Sequence, residues 1–326
     1  MILCAENDDS GRRLDRILRR ALPDLPLSAL HRLLRKGQVL VNGHSAGAAM
    51  RISAGAVIEL PLEETAIPAI AGAVREAVPS SRDKTKPCIL LEGSGLLFIN
   101  KPAGLAVHGG GAGDCLDRQV QAYLKGKLPP SLSFKPGPLH RLDKPSSGVI
   151  VFAYSLDAAK WFSDLLKEGK IRKSYLAILE GKLRQSEIWD DLLYRDKKER
   201  KTLRLASIEH HNPEHRDHGE RRALTRIIPL AIAESQGRAY TYARLEIETG
   251  RTHQIRSQGA ARGYPLAGDR KYGGHHLPMA HGRSYGSFFL HAEQLELPAR
   301  GNIPPQIVKA PLPEAFSQAA RELFGN

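Results

Sequence analysis

Residues 62–88, LEETAIPAIAGAVREAVPSSRDKTKPC, scatter proline, serine and charge without a sustained apolar period. A stretch that repeats neither every 3.6 nor every 2 residues has no face to bury, so it reads as a linker. This divides the 326-residue chain into two parts, residues 1–61 and 89–326, each of which must build its own core.

In the first part, Leu14, Ile17, Leu18 and Leu22 recur at helical spacing and predict one apolar stripe. Pro23 and Pro26 break it, and Ser28 is the expected N-cap of a second helix holding Leu30, Leu33 and Leu34. Gly37 closes that helix, QVLVNG predicts a strand, and Asn42-Gly43 predicts a hairpin turn before a short strand at 56–60. Residues 11–36 hold eight Lys/Arg against two Asp, a local net of +6. Arg12, Arg13, Arg16, Arg19, Arg20 and Arg32 lie outside the apolar stripe. Any one of them reads as solvated surface; as a set on one small unit they suit a row of phosphates.

From Ile89 onward, short apolar runs (ILLE, LLFI, GVIVFA, SYLAIL, YARLEIE, FFLHAEQLEL) outnumber helical stretches, the clearest of which is AAKWFSDLLKEG, closed by Gly169. Few strands are joined by helical crossovers. The expected class is α+β: a mainly antiparallel mixed sheet in residues 89–326, with a small α/β unit in residues 1–61.

Composition narrows the function. The net charge of +13 favours a polyanionic partner. No apolar run reaches the roughly 18–20 residues of a membrane span, and the N-terminus lacks the pattern of a secretory signal. Cys4, Cys88 and Cys115 are far apart and form no CxxC pair, which argues against a disulfide framework or zinc site and fits a reducing cytoplasm.

The most informative stretch is LHRLDKPSSGVIVFA, residues 139–153, in which an acid in a turn precedes a buried-type strand. It resembles the HRLDxxTSG motif of the RluA-type pseudouridine synthases, with Pro145 and Ser146 as departures beside its core. LLFINKPAGLAVHGG (96–110), RKSYLAILEG (172–181), LEIETGRTHQIRSQGAARGYPLAGDRKYGG (245–274) and FFLHAEQLEL (288–297) are similar to further blocks of that family, in its order. Residues 11–60 resemble the S4-type RNA-binding domain, through RLDxxL, a serine and a final KGQVLVNG.

The resemblance implies an enzyme that isomerises uridine to pseudouridine within structured RNA, without cofactor or metal. Asp143 would be the nucleophile, Arg256 its ion-pair partner, and Tyr175 would stack on the base. Ile255 would form part of the apolar wall, and Arg141 would fill the space left by the flipped uridine. Arg12, Arg13, Arg16 and Arg32 would meet phosphates. The implied partner is RNA, ribosomal RNA of the large subunit first and transfer RNA second, with neither DNA nor a membrane. The chemistry suits these residue types. A carboxylate can attack and later leave without a cofactor, and a nearby cation keeps it ionised in a closed pocket. Extruding the target base costs a few kcal/mol. Lys101 and the glycines around it are expected to shape the fold.

Three other readings compete. His108-Gly109-Gly110-Gly111 and Gly282-Arg283-Ser284-Tyr285-Gly286 suggest an esterase. However, no acid stands between Ser284 and His291, the only later histidine, and the serine lies on a loop running into a strand. His210, His211, His215 and His218 suggest a metal, but Pro213 and Gly219 oppose the helix that HxxxH ligation prefers. A basic loop, flanked by Arg195, Lys197, Lys198, Arg200 and Lys201, is the better account. A non-catalytic RNA-binding or ribosome-assembly protein of the same fold would lack the constellation of Asp143, Tyr175 and Arg256.

Overall fold

A computed structural model describes the chain except residues 63–85, 110–112, 129–130, 197–200, 208–219, 278–287 and 326. Most of the predicted linker, the histidine-rich loop, Gly110-Gly111 and Ser284 lie outside the described residues.

The N-terminal unit contains β1 (Ile2–Cys4), α1 (Leu14–Ala21), α2 (Leu27–Arg35), β2 (Leu40–Val41), β3 (His44–Ser45) and β4 (Val57–Glu59). Its sheet runs β1-β4-β2-β3, all antiparallel. Leu14, Ile17, Leu18 and Leu22 are all buried, in one core with Leu30, Leu34, Val41 and Ile58. Asn42 and Gly43 both have positive φ, 51° and 78°, as a two-residue type I′ hairpin requires. The expectation for Ser28 is corrected. The helix starts at Leu27 behind Pro26, and Ser28 lies exposed inside the first turn without capping it. Pro26 itself stands at the N-cap, its carbonyl accepting the Ala29 and Leu30 N–H groups, which places Ser28 at the second helical position.

The larger unit opens with β5 (Ile89–Gly93), β6 (Leu96–Lys101), α3 (Leu116–Leu124), β7 (Gly137–Pro138), β8 (Ser147–Ala153) and α4 (Leu156–Lys167). It continues with β9 (Arg172–Glu180), β10 (Glu187–Asp196), β11 (Lys201–Ser207), β12 (Arg221–Ser235) and β13 (Arg238–Ile247). It closes with α5 (Gln254–Ala261), β14 (Leu290–Leu297), β15 (Gln306–Lys309) and α6 (Glu314–Phe324). Among the described residues these strands form one sheet, ordered β11-β10-β12-β13-β9-β14-β8-β6-β5, with β15 on β14 and β7 on β8. Among the pairings of these described strands only β14/β8 is parallel. The class is therefore α+β, with a mainly antiparallel mixed sheet.

Both faces of the central strands are covered, which explains the unbroken apolar run GVIVFA. Alternate residues of β8 serve different cores: Ile150 and Phe152 pack with Val120 of α3, whereas Val149 and Val151 pack with Phe162 of α4. Ser155 caps α4 by accepting the Ala158 N–H at 3.2 Å. At the start of β8, Gly148 has φ +109°, and a Cβ there would stand 2.2 Å from the Ala292 carbonyl oxygen of β14. Gly148→Ala is therefore expected to cost about 3 kcal/mol or more, through clash and backbone strain. Thermal unfolding checks this; a loss under about 1 kcal/mol would mean that the two strands separate easily.

The two units also touch. Asp9, fully buried, accepts hydrogen bonds from Ser131 Oγ, the Leu132 N–H and Ser133 Oγ. Arg12 Nη1 donates to Ser133 O and Oγ, both at 2.9 Å. Leu132 packs on the N-terminal core, and Asp8 Oδ1 accepts the N–H of Leu156 at 3.2 Å.

Candidate active site

Asp143 lies in the turn entering β8, and that turn is braced from two sides. Its carbonyl accepts the Ser146 N–H at 3.0 Å, and the Lys144 carbonyl accepts the Gly104 N–H at 2.9 Å. Lys101, buried at the end of β6, donates to the carbonyls of Pro102, Leu105 and Lys144 at 2.9, 2.9 and 3.1 Å. Burial pushes its ammonium down to about 8, against the opposing pull of Asp143. Lys101 thus ties the first motif to the Asp143 turn, in the shaping role expected of it. Below the turn, Ser147 Oγ meets His291 Nδ1 at 2.9 Å while His291 Nε2 faces the Ala310 carbonyl at 3.1 Å.

α5 brings Arg256 to this turn across the sheet. Two glutamines one helical turn apart anchor the helix. Gln254 Nε2 donates to Leu224 O and Thr225 Oγ1. Gln258 Nε2 donates to Trp189 O, Asp191 and Ala223 O. Both are buried, so each fixed donor sets the helix's position on β10 and β12.

The guanidinium is divided between two carboxylates. Arg256 Nη1 donates to Asp143 Oδ2 at 2.9 Å, while Nε and Nη2 form a fork on Asp269 at 2.6 and 2.8 Å. Its carbon stands 4.5 Å from the Phe288 ring centroid and 4.8 Å from that of Tyr272. Burial opposes the charge on Arg256, but the hydrogen bonds and charges of Asp269 and Asp143 outweigh it and raise the pKa. The arginine side chain is 7% exposed and that of Asp143 24%, so the carboxylate faces an opening with its cation behind it.

Tyr175 on β9 is buried in the same core as Leu142, Ile247 and Ile255. Burial, with the Asp143 charge adding, raises its phenol well above its ordinary value, so it is neutral throughout the physiological range. His253 adopts a left-handed conformation, φ 54°, at the start of α5. Its Nε2 is 3.8 Å from Asp143 Oδ1, too far for a hydrogen bond. Its Nδ1 is 2.8 Å from Tyr272 Oη, which already accepts the Thr202 N–H. The phenol can donate to Nδ1, an arrangement that puts the imidazole proton on Nε2, facing Asp143. Burial pushes the His253 pKa down to about 4, so a neutral ring stands beside the carboxylate.

The structure therefore brings Asp143, Tyr175, Arg256 and Ile255 together. Arg141 is exposed next to Asp143. Among the N-terminal arginines, Arg16 and Arg32 are exposed, whereas Arg12 is bound to Ser133 and Arg13 pairs with Asp15 at 2.7 Å. Those two are committed within the protein, because acceptors on the chain itself reach them first. Sequence reasoning assigned no role to Asp269, His253, Tyr272, Gln254 or Gln258. Asp269 and Tyr272 stand in the GDRKYGG segment already singled out, and the i, i+4 glutamines are the one pattern that signals a buried polar anchor.

Comparisons with known proteins agree with this geometry. The family model described as RNA pseudouridylate synthase matches residues 95–261, and the S4 domain model matches residues 12–58. Ribosomal large subunit pseudouridine synthase C of Escherichia coli (strain K12) is 30% identical over 99% of this chain and 96% of its own length. Ribosomal large subunit pseudouridine synthase D of Xylella fastidiosa is 33% identical, over 95% of this chain and 88% of its own. The solved structure of Human RNA Pseudouridylate Synthase Domain Containing 4 shares the fold, with a TM-score of 0.55 and 23% identity over 72% of this chain and 93% of that one. By these matches and its fold, the chain belongs to the RNA pseudouridylate synthase family and carries an S4 domain ahead of the catalytic fold.

Proposed function

We infer that this protein acts in the cytoplasm on large-subunit ribosomal RNA, isomerising uridine to pseudouridine with Asp143 as nucleophile. The observation that carries the reading is the shared guanidinium. Arg256, held from behind by Asp269, offers a single Nη1 donor to a carboxylate that faces an opening. The relatives' names supply the RNA class.

The reaction breaks the bond from C1′ to N1 of uracil and forms the bond from C1′ to C5; the C5 proton leaves to solvent and N1 takes up a proton in its place. Asp143 attacks the uridine, at base or sugar, and departs when the new bond closes. Arg256 keeps it ionised while water is excluded. Tyr175 and Ile255 supply the face against which the free base turns, and the neutral phenol adds no second anion beside the nucleophile. Arg141 occupies the space that the extruded uridine leaves. Tritium release from RNA labelled at uridine C5 tests the reaction, and pseudouridine mapping in ribosomal RNA from cells with and without the gene tests the substrate.

Of the four arginines assigned to phosphates, Arg12, Arg13, Arg16 and Arg32, the geometry leaves Arg16 and Arg32 open. Replacing both with alanine is expected to lower the slope of log affinity against log salt by about 1.5, near 0.7–0.9 for each lost contact. Arg12→Ala is expected to loosen the contact with the Ser133 loop. An unchanged slope in the double variant, from binding titrations across salt concentrations, would show that the two arginines are only solvated surface.

A further inference from the structure

Among the described residues the chain buries two lysines, and their surroundings are opposite. Lys101 has all three ammonium donors on carbonyls. Lys173, 7% exposed on β9, makes no hydrogen bond or ion pair among the described residues. Its Nζ keeps a little contact with solvent.

The groups that approach Lys173 deepen the imbalance. A Cβ on Gly250 would stand 3.5 Å from Nζ, so the ammonium lies against the Thr249–Arg251 turn. Burial first, then the Arg251 charge, pushes Lys173 down to about 8. The nearby His140 is uncharged: its Nε2 accepts the Val151 N–H, and burial, with Lys173 adding, pushes it down to about 3. Arg251 is exposed; its Nε donates to Arg222 O at 3.0 Å, and its Nη groups have no partner among the described residues. A buried ammonium without an anion is unfavourable, and a second cation beside it worsens the balance. The arrangement is complete only with an anion between the two.

Lys173 shares a strand face with Tyr175 two residues on, a separation of about 7 Å and thus within the reach of one nucleotide. We propose that Lys173 and the Nη groups of Arg251 bind a backbone phosphate of the RNA strand whose uridine enters the Asp143–Tyr175 site. The proposal rests on the reading of that site and adds a contact that positions the target nucleotide. Lysine acts as a point charge at depth, and the arginine fork closes over the phosphate from the surface.

The test uses the full chain, an in vitro transcript of large-subunit ribosomal RNA, and the variants Lys173→Met and Lys173→Arg. In Lys173→Met, affinity for the transcript is expected to fall roughly tenfold, as for one charged hydrogen bond. The salt slope should fall by about 0.7. The RNA-free variant should unfold at the same or a higher temperature, because an unpaired buried charge has gone. Lys173→Arg should keep the slope. A lower unfolding temperature with an unchanged slope would make Lys173 a prop of the fold and overturn the proposal. If inorganic phosphate raises the unfolding temperature of the wild type but not of Lys173→Met, and the RNA slope is the same in both, the site takes a small anion and the RNA assignment fails. Should Lys173→Met not fold, Arg251→Ala on the surface carries the same slope test, with the same two outcomes. Tritium release by the wild type on the same transcript reads the proposed reaction separately, so either idea can fail alone.

Discussion

Asp143→Asn is expected to abolish uridine isomerisation, lowering the single-turnover rate by roughly five to six orders of magnitude. The amide has nearly the volume of the carboxylate, and its oxygen can still accept from Arg256 Nη1, so the turn before β8 keeps its shape. Lys101 and Gly104 bind the carbonyl of Lys144 rather than the Asp143 side chain, so the brace survives as well. What disappears is the negative oxygen that the proposed mechanism bonds to the uridine, and no binding energy replaces a missing covalent step. RNA affinity should therefore stay near that of the wild type, and so should thermal unfolding. Tritium release measured beside RNA binding decides the matter. Turnover within about tenfold of the wild type would remove Asp143 as nucleophile.

Arg256→Met should lose both activity and stability. It leaves Asp143 and the nearly enclosed Asp269 facing each other without their shared cation. Breaking a buried ion pair on one side costs about 3–5 kcal/mol. The methionine recovers part of the packing against Phe288 and Tyr272 but none of the charge. The rate should fall about a thousandfold, as for loss of a preorganised charge at a closed site. Arg256→Lys should rescue little, since one ammonium cannot span two carboxylates that a guanidinium holds by three nitrogens. Asp269→Asn, which keeps the shape but weakens the rear clamp, should fall between the wild type and Arg256→Met in both rate and unfolding temperature. Equal rates in all three proteins would show that the shared guanidinium only supports the fold.

Much of the cluster around Asp143 was legible in the sequence, and the reason differs by residue. Asp143 precedes a strand and Tyr175 lies within one, both strands announced by local composition, and the resemblance to the synthase motifs then supplies the roles proposed for them. Arg256 was reached through resemblance alone, because it lies 113 residues from Asp143 and no local period connects them. Asp269 went unassigned although it is only 13 residues from Arg256. Nothing in a single GDRKYGG run indicates which cation its acid will meet.

What the sequence determined by itself were the features that depend on near neighbours. The Leu14–Leu22 stripe, the Asn42-Gly43 turn, the two-faced strand at Ser147–Ala153 and the Gly169 helix stop follow from steric and periodic rules acting over a few residues. Tertiary structure alone decided how charges are shared. It assigned one guanidinium to two carboxylates, committed Arg12 to Ser133, and left Lys173 buried beside Arg251 with no anion among the described residues. The physical reason is that hydrogen bonds and Coulomb forces act through space between groups far apart along the chain. A charge pattern read in order therefore lists the available charges, and only the fold determines which of them meet.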